Sequence, residues 1–171
     1  MTLHEGTGRR WEDGHVARWS EVRDAAPELA ERVEQRFRSY RHALIATLRA
    51  DGHPRITGIE TQFVLGDLWM GMMGGSRKAN DLLRDPRMAL HAALDAPEVP
   101  TGDAKISGLA EAVVDEDRIA AWRQTIEEMP EGPFHLFRVD VQEIILVRPV
   151  VDHLEIESWS EQRGLRRFER R

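Results

Sequence analysis

The chain has 171 residues, 41% of them hydrophobic, which is enough for one packed domain. Its formal charge of -6 and pI near 5.7 argue against a protein that binds nucleic acid with its whole surface, so we expect no nucleic-acid partner. It contains no cysteine, which excludes disulfides, thiolate metal sites and cysteine nucleophiles.

The first 18 residues predict a loose leader, followed by a single domain over residues 19–171. The leader is interrupted by glycines and charged residues and has no hydrophobic periodicity. It also lacks the apolar region of a signal peptide, and no later stretch approaches the roughly 20 apolar residues that a membrane span needs. We therefore expect a cytoplasmic protein with no membrane partner.

Two helices are predicted next. A short helix opens at Trp19, and a longer one follows Pro27. In the longer helix Leu29, Val33 and Phe37 recur at helical spacing, with charged residues between them. We expect this amphipathic helix to cover one face of a sheet.

From Ala43 the pattern becomes that of strands joined by tight turns. Ala43–Arg49 predicts a strand, Asp51-Gly52 a hairpin turn, and the segment from Pro54 to about Leu65 the returning strand. Gly66-Asp67 then turns the chain into a strand over Leu68–Met73. Three such strands predict an antiparallel meander.

The remaining elements extend the same sheet around one more helix. Asp115 begins a helix that includes Ile126 and ends at Pro130. Gly108 lies inside a strand and predicts a bulge or bend. The strands are predicted over residues 87–94, 104–114, 134–147 and 154–159, and a basic C-terminal tail follows the last one. The predicted fold is mainly β with flanking helices, a six-to-seven-stranded antiparallel β-barrel.

Ser76-Arg77-Lys78 is the most informative motif. Gly74-Gly75 breaks the preceding strand, Ser76 is a good N-cap, and Asp85-Pro86 ends the short helix that follows. Two cations in the first turn of a helix are unfavourable unless an anion lies against them. The sequence thus predicts either a phosphate-binding turn or a solvated basic turn.

Other polar residues carry weaker predictions. Arg55 and Thr57 share one face of their strand and could reach the same anion, although Arg55 could equally lie in solvent. Lys105 and Ser107 face either solvent or a ligand groove. None of the seven histidines has the spacing of a metal-ligand pair, so no metal site is expected.

These residues, in this order, resemble the pyridoxamine 5'-phosphate oxidase-related superfamily of FMN-binding and F420-binding split β-barrels. The resemblance covers about Ala43 to Val147, and its middle motif is fairly specific. The matching segments are Ala46–Arg55, Leu68–Met70, Ser76–Arg87 and Ala104–Ala110.

The resemblance implies a six-stranded split barrel, usually a homodimer, with the cofactor in grooves between the subunits and a small-molecule substrate. In the family, a serine–x–lysine turn and an arginine of the second strand hold the cofactor phosphate. By position these residues are Arg55, Ser76, Arg77 and Lys78.

Further family positions concern the cofactor ring. The backbone near Thr57 and from Met70 to Met73, which includes Met72, would flank it. A tryptophan and an arginine near the C-terminus also contact flavin in the oxidases. Trp159 fits the first, and Arg167 or Arg170 fits the second.

The chain also departs from the true oxidases. Glu60 stands where they have lysine, Gly71-Met72 replaces a tyrosine–threonine pair, Asp103 lies near a glutamine position, and the tail lacks their R-x-H signature. A true pyridoxamine phosphate oxidase is therefore not expected. The resemblance leaves an FMN-dependent oxidoreductase, an F420-dependent reductase, a non-catalytic cofactor carrier, or a haem-binding or haem-degrading barrel. The sequence assigns no catalytic residue.

Overall fold

The computed structural model of the protein describes residues 16–93, 102–127 and 132–171. Most of the predicted leader lies outside these ranges. The helices are α1 (Trp19–Ala25), α2 (Pro27–Arg38), α3 (Arg77–Arg84) and α4 (Glu116–Arg123). The strands are β1 (Ala43–Leu48), β2 (Pro54–Ile59), β3 (Gln62–Val64), β4 (Asp67–Met73), β5 (Arg87–His91), β6 (Asp103–Val113), β7 (Phe134–Val150), β8 (His153–Ser160) and β9 (Gly164–Arg170).

The strands form one antiparallel sheet in the order β2-β1-β5-β6-β7-β4-β3, and β8 joins β7 to β9. The long strands β6 and β7 pair along their whole shared length. Their register shifts between Ser107 and Gly108, which confirms the bulge predicted at Gly108. A Cβ atom at Gly108 would lie 2.2 Å from the carbonyl oxygen of Asp140, so this close approach requires glycine.

The helices α1 and α2 cover the core as the amphipathic pattern predicts. Pro27 occupies the first turn of α2, where its missing N–H costs nothing. Leu29, Val33 and Phe37 are buried on the inner face of α2. Just before α1, Ala17 forms an isolated bridge with Val141 and ties the end of the leader segment to β7. Among the described residues, no helix combines the length and the apolar character that crossing a membrane requires.

The predicted meander is interrupted within its second strand. β1 and β2 pair as expected, but the predicted second strand is broken between Ile59 and Gln62. The part after the break, β3, pairs with β4 across the predicted turn, but β3 and β4 lie at the opposite end of the strand order from β2. Leu65 and Gly66 both adopt positive φ, of 53° and 75°, and form the tight turn between β3 and β4. The chain thus moves from one end of the strand order to the other within two residues.

Two further predictions need correction. Helix α4 ends at Arg123 rather than near Pro130, because the Thr125 amide and hydroxyl both donate to the Trp122 carbonyl oxygen and close the last turn. The basic C-terminal tail is the strand β9, which pairs with β8 from Gly164 to Arg170. The described sheet therefore has nine strands rather than six or seven.

Candidate functional site

Two glycines in the connection between β4 and α3 determine where α3 begins. The Gly74 amide donates to the Pro133 carbonyl oxygen, and a Cβ atom at Gly74 would lie 2.8 Å from that same oxygen. Gly75 has φ of 72°, which favours glycine. Ser76 follows in an extended conformation as the N-cap, and α3 runs from Arg77 to Arg84 as predicted.

Asp81 organises the polar side chains beneath α3. Its carboxylate accepts from Arg55 Nε at 2.6 Å and from the Thr47 hydroxyl at 2.9 Å, and only 5% of its side chain is exposed. Burial opposes ionisation of Asp81, but the bonds from Arg55 and Thr47 outweigh it and lower the pKa of the carboxyl. Arg55 is thus held against α3, rather than lying free at a strand end.

Lys78 reaches across to the strand that carries Arg55. Its ammonium donates to the carbonyl oxygen of Gly58 in β2. Burial lowers the pKa of Lys78, and the nearby Glu60 carboxylate offsets this only in part. Arg77 is exposed and makes no hydrogen bond or ion pair within the described ranges.

Two hydroxyl groups near these cations are buried without a partner. Among the residues that the structure describes, neither Thr57 Oγ1 nor Ser76 Oγ has a hydrogen-bond partner. Ser76 is the N-cap of α3, yet its side chain makes no capping bond. Buried hydroxyls are normally satisfied. A phosphate bound here would accept from these hydroxyls, from the first amides of α3 and from the cations, so the donor set fits a phosphate group.

A groove of about 390 Å³ adjoins this turn, which is within the usual size of small-molecule sites. It is lined by Ser76 and Lys78 on its polar side and by Met72, Trp122 and Ile126 on its apolar side. Trp122 is buried against Gly71, where a Cβ atom would lie 3.3 Å from the indole ring. The remaining lining residues are Arg41, His42, Gly58, Ile59, Glu60, Gln62, Gly71 and Met73.

Two residues that were predicted to lie at the site are found in other parts of the structure. Trp159 is buried in the main hydrophobic core. Arg167 donates to Glu157 at 2.7 Å and lies near Glu28 of α2. Neither lines the groove, so within one chain the structure does not bring them to Ser76 and Lys78.

Lys105 and His91 line a separate depression that shares no residue with the groove. Both side chains pair with Asp103, at 2.8 Å and 2.7 Å. Lys105 is about half exposed, so it faces solvent and the depression at once.

Sequence reasoning missed three residues of the site. Asp81 lies inside the recognised motif, but its bond to Arg55 joins residues 26 positions apart. Gln62 and Trp122 are bonded to each other across 60 positions. In the sequence, Trp122 is recognisable only as an apolar residue of a predicted helix. Pairings between residues so far apart leave no local pattern that would indicate a groove.

Comparison with known proteins identifies the family. A family profile described as pyridoxamine 5'-phosphate oxidase matches residues 29–148, which is well over half of the chain. The chain belongs to this family. The match begins within α2 and ends within β7, and it therefore includes Arg55, the Ser76 turn and Trp122.

Solved structures show the same fold. One is a pyridoxamine 5'-phosphate oxidase-related, FMN-binding protein of Nostoc punctiforme, with a TM-score of 0.60 and 16% identity over 85% of this chain and 96% of that one. Another is PhzG of Burkholderia lata, solved with tetrahydrophenazine-1-carboxylic acid, with a TM-score of 0.59 and 12% identity over 96% and 97%. A third is the haem storage protein HutZ of Vibrio cholerae, with a TM-score of 0.54 and 18% identity over 71% and 94%.

At these identities the likeness establishes the split-barrel fold and nothing finer. The expected fold class is confirmed by it. No significant match was found among curated protein sequences.

Proposed function

We propose that the protein is a flavin-class oxidoreductase that binds FMN through a phosphate clamp at the start of α3. The observation that carries this proposal is the pair of buried hydroxyls, Thr57 Oγ1 and Ser76 Oγ, which have no partner among the described residues. Thr57 lies in β2 with Arg55, and Ser76 is the N-cap of α3, the helix that supplies Lys78. Membership of the family, together with an FMN-binding relative of the same fold, supports this ligand.

Each residue of the clamp has a distinct task. Lys78 and Arg77 supply positive charge, and Ser76 supplies a hydroxyl beside the first amides of α3. Arg55, already fixed through Nε by Asp81, still has its two terminal nitrogens to offer, since only its Nε is bonded within the described ranges. The Met72 side of the groove receives the ring. FMN itself would supply the hydride chemistry, and the protein its binding and orientation.

We also propose that the protein is a homodimer. The sheet carries a depression of about 670 Å³ whose lining is largely apolar and includes Ile145. Leu44 and Ile56 at this depression are 48% and 69% exposed, although both are large and apolar. Contiguous exposed apolar surface of this kind marks an interaction site. A second copy of the chain would cover this surface. The predicted contacts of Trp159 and Arg167 with the cofactor can be tested only in such a dimer.

A difference from the oxidases at one groove residue indicates that the substrate is not pyridoxamine phosphate. Glu60 stands where the oxidases have lysine, lines the groove and pairs with Arg41 at 2.8 Å. A carboxylate at this place in the groove would repel a substrate phosphate. The substrate is therefore a small molecule that carries no phosphate at this position.

Fluorescence titrations of the purified protein with FMN and with F420 test the proposal. Submicromolar binding of FMN, followed by its reduction with NADH or NADPH, supports it. Tight binding of F420 alone would replace it with an F420-dependent reductase. Tight FMN binding with no turnover would instead indicate a cofactor carrier, and binding of neither cofactor would contradict both flavin assignments.

A further inference from the structure

The apolar side of the groove contains one polar contact that fixes a side chain's orientation. The Trp122 indole Nε1 donates to Gln62 Oε1 at 2.9 Å, joining α4 to β3. Trp122 is held at this bond, because the residue is only 1% exposed and its ring packs against Gly71 and Phe134. The hydrogen bond between Trp122 and Gln62 is therefore a fixed part of the groove lining.

This contact determines which end of the Gln62 amide faces the groove. An indole nitrogen can only donate a hydrogen bond, whereas an amide side chain has one accepting and one donating end. The oxygen of Gln62 must therefore face Trp122, and the Nε2 group must point away from it. Within the described part of the chain, Gln62 Nε2 has no hydrogen-bond partner, and Gln62 lines the groove.

The groove thus presents two kinds of recognition. Ser76 and Lys78 offer charge and hydroxyl donors suited to a phosphate, while Gln62 offers two N–H donors set in an apolar wall. One oriented amide group beside the apolar lining residues suits the edge of a planar ring that carries a carbonyl oxygen. A ring edge with only donors would leave the Gln62 amide unsatisfied.

We propose that Gln62 is the specificity-determining residue for the ring of the bound ligand, donating from Nε2 to a ring carbonyl oxygen, with Trp122 as its positioning residue. This inference rests on the proposed function, since it takes the ligand to be a phosphate-bearing tricyclic ring. It assigns the ring and the phosphate to different residues. Loss of Gln62 should therefore weaken ring binding and leave phosphate binding unchanged.

The test compares FMN with inorganic phosphate, used as a competitor, on two variants of Gln62. Gln62→Met removes the donors without adding charge. Gln62→Glu removes them but keeps an acceptor for Trp122, so the groove wall stays folded. We expect the Kd for FMN to rise about tenfold in both, as for one lost hydrogen bond that leaves a buried carbonyl unsatisfied. The inhibition constant of phosphate should be unchanged in Gln62→Met.

Two controls make the outcome specific. Gln162→Glu changes charge equally at an exposed turn and should leave FMN binding unchanged. Trp122→Phe keeps the ring but frees the Gln62 amide, so it should weaken FMN severalfold, and the absorption spectrum of bound FMN should shift. If both Gln62 variants bind FMN like the wild type, this inference falls while the proposed function stands. If the wild type binds neither FMN nor F420, both fall.

Discussion

Asp81 is the residue on which the geometry of the clamp depends. One carboxylate receives Thr47 from β1 and Arg55 from β2, while the residue itself belongs to α3. Removing one partner of a buried network leaves the others unsatisfied. Arg55 would then keep its charge but lose its fixed position.

We expect Asp81→Asn to lower the free energy of unfolding by about 1–3 kcal/mol and to weaken FMN binding severalfold. Because the pKa of folded Asp81 is lowered, its contribution is present above the unfolded value of 3.8 and is lost as pH falls through the folded value. Urea unfolding between pH 7 and pH 2 should therefore show a smaller acid-induced loss in the variant. The exposed Asp24→Asn serves as the control, and equal stability of the two variants would contradict this role.

Lys78 gives a second prediction at the same scale. Burial lowers its pKa below the usual 10.5, and a bound phosphate would raise it again. Binding of FMN at alkaline pH should therefore be accompanied by proton uptake, and affinity should decrease as pH rises through the lowered pKa. Calorimetry in two buffers of different ionisation enthalpy measures the uptake. Lys78→Arg stays charged throughout, so its binding should take up no proton, and identical uptake in both proteins would exclude Lys78 as the source.

At the scale of elements, the Gly108 bulge joins the two longest strands. A methyl group at Gly108 would meet backbone atoms of Asp140, which cannot move aside as a side chain does. We expect Gly108→Ala to destabilise the protein by about 1–3 kcal/mol in urea unfolding. At Gly58 a Cβ atom would meet nothing within 4 Å, so Gly58→Ala should be nearly neutral. Equal stability of the two variants would show that the bulge accommodates a side chain.

Elements whose ends are marked by neighbouring residues could be predicted from the sequence. Elements that depend on pairing with a segment far away in the sequence could not. Gly74-Gly75, Ser76 and Asp85-Pro86 marked both ends of α3 in the sequence itself. The break before Gln62 has no such mark, because β3 is determined by its pairing with β4. The arginine-rich C-terminal segment was interpreted as a basic tail, but it forms the strand β9 by pairing with β8. Ser76, Arg77 and Lys78 were predicted from this local pattern. Asp81, Gln62 and Trp122 were missed because their bonded partners are distant in the sequence.

At the scale of the whole molecule, the exposed apolar face predicts assembly. Ile56→Glu places a charge where the second copy would bury it, at a cost of several kcal/mol. We expect the variant to shift from dimer to monomer in light scattering, with the dimer dissociation constant raised at least tenfold. Val151→Glu adds the same charge at a fully exposed turn and should remain dimeric. A monomeric wild type would contradict the proposed dimer.

The central claim is that the Ser76 turn binds the phosphate of a flavin-type cofactor. Its most direct test is an FMN titration of the folded Arg77→Ala/Lys78→Ala double variant beside the wild type. The control is Arg23→Ala/Arg171→Ala, which removes the same charge at exposed positions. We predict that the clamp variant binds FMN at least tenfold more weakly while the control binds like the wild type. Unchanged affinity in the clamp variant would contradict the assignment of the phosphate to this turn.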